Sequence, residues 1–155
     1  MFVSKVCNQL KKYKVPYAIV GGYAVVLHGA ARGTVDIDIV LKWSLSSLKN
    51  VEKALNEIGL ESRLPVDHNA IFSFRKEYIE NRNLIAWNFF NPINPTELVD
   101  IIIDYDLKSS QVDTIKSKFG DIKLLKKDDL IKMKRESARP QDLQDILALG
   151  GQIDE

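Results

Sequence analysis

Apolar residues at Phe2, Val3, Val6, Leu10 and Tyr13 fall at helical spacing against a polar opposite face. They predict a helix over residues 2–14 that Pro16 ends. Tyr17-Ala18-Ile19-Val20 is a short unbroken apolar run closed by Gly21-Gly22, which reads as a buried strand, with a helix over Tyr23–Leu27 stopped at Gly29. After the turn-like Arg32-Gly33-Thr34, residues 35–41 alternate apolar side chains with two aspartates, a strand pattern. Ser46 or Ser47 caps a predicted helix to about Ile58, with Gly59 at its end. Strands are expected at 60–64, 84–90 and 97–105, the last the strongest in the chain. The signals from Pro65 to Asn83 are mixed and assign no element.

Thr114–Phe119, Gly120-Asp121 and Ile122–Leu125 read as a hairpin. Two helices follow, over 127–137 and 140–149, with Pro140 at a helix start and Gly150-Gly151 at a stop. This order predicts an α+β fold: a mixed β-sheet flanked by helices, with a C-terminal helical pair. At 155 residues the chain fits a single domain, 1–155. It is 45% apolar and 28% charged, as ordinary globular proteins are. Its formal net charge of +1 selects no partner by itself. The one cysteine, Cys7, permits no internal disulfide and reads as a small apolar residue of the first helix. No apolar run approaches the roughly 20 residues of a membrane span, and the first 14 residues lack a signal-peptide core. A cytoplasmic protein with no membrane partner is expected.

The candidate chemistry lies in the aspartates. Asp36 and Asp38 are two apart on a strand, so both point to one face, and Ile37 and Ile39 point to the other. Side-by-side carboxylates repel, and a divalent cation such as Mg²⁺ offsets that while orienting a phosphorylated substrate. A third carboxylate is expected from a neighbouring strand. Asp100 and Asp104 share parity, and Asp100 is preferred because it lies deeper in the apolar run, whereas Asp104 at the strand end is expected to be solvated. Gly21-Gly22, between a strand and a helix, lets backbone N–H groups approach an anion.

Gly21-Gly22, a short helix, then Asp36-Ile37-Asp38-Ile39 resembles the signature of the DNA polymerase β-like nucleotidyltransferase superfamily. The fuller run from Gly21 through Ile39 looks like a bacterial branch that includes abortive-infection-type toxins. Leu130-Ile131-Lys132-Met133-Lys134 and Arg139-Pro140-Gln141-Asp142-Leu143-Gln144-Asp145 are similar to that branch's lysine motif and its Arg-x-x-Asp-x-x-Asp motif. The resemblance implies a nucleotidyltransferase fold, with a catalytic half over about 1–105 and a C-terminal half over about 106–155. It implies that Gly21 and Gly22 hold the triphosphate of an NTP, and that Asp36, Asp38 and Asp100 bind Mg²⁺ or Mn²⁺. By the same resemblance Lys134 neutralises phosphate charge, and Asp142 and Asp145 order the site or contact the nucleotide.

The expected activity is transfer of a nucleoside monophosphate from an NTP to an acceptor hydroxyl, on tRNA or a protein in a toxin-like form, with an antitoxin protein as partner. Two alternatives stand beside it: an inactive nucleotide- or partner-binding module of a toxin–antitoxin pair, and an aminoglycoside-type small-molecule nucleotidyltransferase.

Arg32 and Thr34 precede the carboxylates and are nucleotide-binding candidates; Arg32 serves equally well as an ion-pair partner of Asp36 or Asp38. His28, near a helix end, reads as a hydrogen-bonded structural residue. Trp43, Trp87, Phe89 and Phe90 suit core packing at least as well as base stacking. From Tyr105 to Pro140 ten Lys/Arg face six Asp/Glu, which reads as solvated surface or as a patch for RNA.

Overall fold

The structure, a computed structural model, describes residues 1–29 and 36–152. Helix α1 (Phe2–Lys12) buries Val3, Val6, Cys7 and Leu10, the stripe its spacing dictates. Strand β1 (Tyr17–Val20) is buried along its whole length. Helix α2 starts at Gly21 itself, earlier than the sequence pattern suggests, and runs to Leu27. Strand β2 (Ile37–Leu41) follows. Helix α3 (Leu45–Glu57) is capped by Ser44, whose hydroxyl accepts the Ser47 N–H at 3.0 Å. Gly59, at φ +89°, turns the chain beyond its end.

The stretch without a clear pattern folds into two short helices, α4 (His68–Ser73) and α5 (Arg75–Arg82), after a two-residue strand β3 (Glu61–Ser62). Asp67 caps α4 by accepting the Ala70 N–H. Helix α5 buries no residue, which is why its apolar signal is faint. Strands β4 (Ala86–Phe90), β5 (Leu98–Ile102), β6 (Val112–Ser117) and β7 (Gly120–Leu125) complete the sheet. Helices α6 (Lys127–Ser137) and α7 (Pro140–Ala148) close the chain.

The seven strands form one mixed sheet in the order β3-β4-β5-β2-β1-β7-β6. β2 runs antiparallel to β1 and parallel to β5; β1 runs parallel to β7. The central strands therefore combine both modes, and the sheet is mixed as the element order predicts. Trp87 and Phe89 are fully buried, with ring centroids 4.6 Å apart, so they pack the core rather than stack on a base. His28 Nε2 lies 2.9 Å from the Leu125 carbonyl oxygen, the structural role expected of it. Cys7 is buried. Among the described residues no helix is long and apolar enough to cross a membrane.

Candidate active site

The register of β2 against β5 sets Ile37 beside Val99, Asp38 beside Asp100 and Ile39 beside Ile101. The four aliphatic side chains are fully buried. Strand periodicity then turns Asp38 and Asp100 to the opposite, half-exposed face, with Asp36 one step before β2 on the same side. On the far side of β5, Asn88 of β4 lies opposite Asp100 and donates its Nδ2–H to Asp100 Oδ1 at 2.7 Å.

On the other flank Asp38 pairs with Val20, and the chain turns at Gly21 with φ +66°. A Cβ on Gly21 would stand 2.1 Å from Asp38 Oδ2, so both the left-handed backbone and the close approach require glycine here.

Burial, then the charges of Asp100 and Asp36 and a hydrogen bond with Asp100, push the Asp38 carboxyl up to about 7; the Lys134 charge opposes this. Burial and the Asp100 charge raise Asp36 as well. The three aspartates thus act on one another by charge across this face.

The opposing wall comes from α6 and α7. Ala138, at φ +51°, and Pro140 fold α7 back beside α6. Lys134 on α6 is only 5% exposed. Its Nζ donates to Asp145 Oδ2 at 2.8 Å and lies 3.6 Å from Asp142 Oδ1. Gln141 Nε2 donates to Asp145 Oδ1 at 3.1 Å. Arg139 reaches Asp142 with its backbone N–H at 3.1 Å, Nε at 2.8 Å and Nη2 at 3.2 Å. Burial alone would raise Asp142; the hydrogen bonds and charge of Arg139, with the Lys134 charge, overcome it and hold the carboxyl below its ordinary value. The Arg139 side chain remains 74% exposed, and three of its five N–H donors are outside the fork to Asp142.

A cavity of about 320 Å³ lies between the two walls. Gly21, Asp38, Lys134 and Asp142 border it, as does Arg139. Asp100 meets this group through Asp38, and Asp36 acts on it by charge. Gly22 is buried in α2, and Asp145 is buried under Lys134; neither lines the cavity. Arg32 and Thr34 lie outside the described residues. Asp104 is exposed, as expected, yet it stands on the cavity rim with Glu136. Ile85, Ile102, Tyr105 and Met133 supply an apolar wall.

Arg139 enters the sequence pattern only as the first residue of the Arg-x-x-Asp-x-x-Asp run, and Asn88 and Glu136 carry no role in it. The signal for Arg139 was its place three residues before Asp142, at a helix N-terminus. Asn88 carried none until β4 was set in register with β5.

The donor set is carboxylate oxygen, which suits a hard divalent ion. Among the described residues no three His, Cys, Asp or Glu side chains stand at metal-holding spacing. A ligand assignment to Asp36, Asp38 and Asp100 therefore rests on their chemistry, shared face and mutual repulsion.

A family model described as "Nucleotidyltransferase of unknown function" (DUF6036) matches residues 2–154. No curated protein sequence matches the chain. Similar solved structures include an antigenic nucleotidyltransferase-like protein from Paracoccidioides brasiliensis, at 20% identity and TM-score 0.60, covering 95% of this chain and 72% of that one. The lincomycin-bound lincosamide antibiotic adenylyltransferase LnuA is 17% identical, with TM-score 0.60, over 94% of this chain and 92% of its own. ANT(2″)-Ia in complex with adenylyl-2″-tobramycin is 12% identical, with TM-score 0.58, over 94% and 83%. At such identities the likeness is one of fold.

Proposed function

Because the chain belongs to this nucleotidyltransferase family, we propose that it transfers a nucleoside monophosphate from an NTP to an acceptor hydroxyl and releases pyrophosphate. The observation that carries the reading is the pairing of Asp38 with Asp100 beside Gly21, with Asp38 pushed up to about 7 by burial and its acidic neighbours. A divalent cation bound by Asp36, Asp38 and Asp100, Mg²⁺ or Mn²⁺, relieves that repulsion and supplies Lewis-acid polarisation of the phosphate oxygens.

The chain's own residues supply the rest. Gly21 lets its backbone approach phosphate where a side chain would block it. Asp100, oriented by Asn88, accepts the proton of the acceptor hydroxyl. Lys134 ties α6 to Asp142 and Asp145 on α7, and so fixes Arg139 at the cavity mouth. Arg139 presents its remaining donors to phosphate, a planar fork suited to that anion. The apolar wall of Ile102, Tyr105 and Met133 receives the base or ribose.

A second reading concerns the acceptor. Asp104 and Glu136 on the rim favour a cationic small molecule, as LnuA and ANT(2″)-Ia bind antibiotics. In the toxin form the acceptor is instead tRNA or a protein, an antitoxin restrains the enzyme, and expression arrests growth unless Asp36 and Asp38 are replaced.

The test is to incubate the chain with each α-labelled NTP, Mg²⁺, and either total RNA or a panel of aminoglycosides and lincosamides, beside Asp36→Ala/Asp38→Ala. Label transferred by the wild type alone supports the reading. NTP binding without transfer to any acceptor points to the binding-module alternative, and equal labelling by both proteins removes enzymatic transfer.

A further inference from the structure

A further concavity among the described residues lies away from the carboxylates. A cavity of about 610 Å³ opens at the other end of β1 and β2, bordered by Lys42, Lys108 and Lys123 with Asp106, Ser109 and Thr114. A second, of about 320 Å³, adjoins it through Pro16, Tyr17 and Lys123, and adds Lys11, Lys14 and Asp121. All five lysines are exposed. Together they face two aspartates, a surplus of three on a chain whose net charge is +1. Asp121 is already met by Lys11 at 4.0 Å and Lys116 at 3.2 Å. Lys14, Lys42, Lys108 and Lys123 make no ion pair among the described residues.

The floor is built rather than loose. Lys42 N–H donates to the Pro16 carbonyl at 3.1 Å, Leu107 N–H to the Leu41 carbonyl at 3.0 Å, and Trp43 N–H to Asp106 Oδ1 at 2.7 Å. Tyr17 is buried beneath it, its hydroxyl accepting the Lys123 N–H at 3.4 Å.

We propose that this lysine-lined groove is a docking track for an RNA strand. Unpaired ammonium groups over a firm floor match a phosphate backbone, whose binding releases counterions. Among the described residues no exposed aromatic side chain lines the groove, so contact to the strand runs through its phosphates and sugars rather than through stacked bases. Asp106 repels phosphate, but its second oxygen can accept a hydrogen bond from a ribose 2′-hydroxyl, which DNA lacks. At about 3.3 Å per residue, β1 places this groove about 13 Å from Gly21. RNA docking is therefore separable from nucleotidyl transfer and does not rest on it.

The test is fluorescence anisotropy of the full chain with a labelled mixed-sequence RNA of about 12 nucleotides, across a salt series. Four phosphate contacts give a slope of log K against log salt of about −3. Lys42→Glu/Lys108→Glu/Lys123→Glu is expected to weaken binding at least tenfold and flatten the slope by about 2. The neutral Lys→Gln triple, whose melting temperature checks that it folds, is expected to weaken it in the same sense. Lys76→Glu/Lys132→Glu, on other faces, is expected to leave it unchanged. Wild-type affinity in the folded Lys→Gln triple, DNA of the same sequence bound as tightly as RNA, or equal competition by a polyglutamate peptide would each overturn the proposal.

Discussion

Lys134→Met separates two roles that one lysine can play in such a site. If Lys134 is a phosphate ligand, its removal leaves the nucleotide-free protein about as stable as before. If it is the tie between α6 and α7, removal takes the ammonium away from two buried carboxylates. The contact to Asp145 at 2.8 Å is worth about 6 kcal/mol at an effective dielectric of about 20, before desolvation is counted. Methionine fills similar volume and avoids the cost of burying an ammonium group, which offsets part of that loss. Asp142 keeps its three bonds from Arg139, and Asp145 keeps the amide of Gln141 among its contacts. Removing one partner of a buried pair costs about 3–5 kcal/mol, and the surviving Arg139 fork places this case near about 3 kcal/mol. For a chain of this size that is a fall in melting temperature of about 10 °C. Urea unfolding of nucleotide-free protein measures it. The decisive control is Lys134→Met/Asp145→Leu, which removes both charges and is expected to recover most of the lost stability. A loss under about 1 kcal/mol in the single variant, or no recovery in the double, would refute the anchoring role.

Three further outcomes follow from the same geometry. Gly21→Ala forces a left-handed alanine, at about 1–2 kcal/mol, and its methyl displaces the Asp38 carboxylate; transfer is expected to fall by far more than stability, and equal turnover by the variant would contradict the close approach. Asp38 is pushed up to about 7 in the folded chain from an ordinary 3.8, so the folded state holds a proton there that the unfolded state releases. Stability of metal-free protein is therefore expected to fall as pH rises from about 4 through about 7. Asp38→Asn should flatten that dependence in urea midpoints taken in chelator at about pH 5 and about pH 8, and parallel profiles would speak against it. Arg139→Ala is expected to weaken NTP binding about tenfold, the loss of one charged hydrogen bond, with partial recovery in Arg139→Lys; unchanged affinity by calorimetry would remove Arg139 from the phosphate site.

What could be read from the sequence divides along a physical line. The carboxylate face was legible because strand periodicity is local: Asp36 and Asp38 share parity, and the apolar flanks of Asp100 marked another buried strand. The pairing of Asp38 with Asp100 needed only that those two strands be neighbours, which their register bears out. Helix α1 was legible for the same reason, a one-sided apolar stripe, and α3, α6 and α7 from local cap and stop residues such as Gly59, Pro140 and Gly150-Gly151. Helices α4 and α5 were not, because α4 buries only Ile71 and α5 buries nothing; with so little core face, periodicity has little to show. The burial of Lys134 was hidden for a different reason. In Lys132-Met133-Lys134-Arg135 the chemistry of each cation is alike, and what distinguishes Lys134 is two carboxylates arriving from the next helix. The far groove is an extreme case: its lysines come from the end of α1 and the turn after it, the residue after β2, the loop after β5, and β7, segments far apart in sequence. A local excess of charge over Tyr105–Pro140 hinted at it, but only the sheet order, which sets β1 between β2 and β7, gathers Lys42 and Lys123 across Tyr17. Side chains fixed by their own strand or helix can thus be assigned from spacing, whereas a charge whose partner is remote takes its meaning from topology.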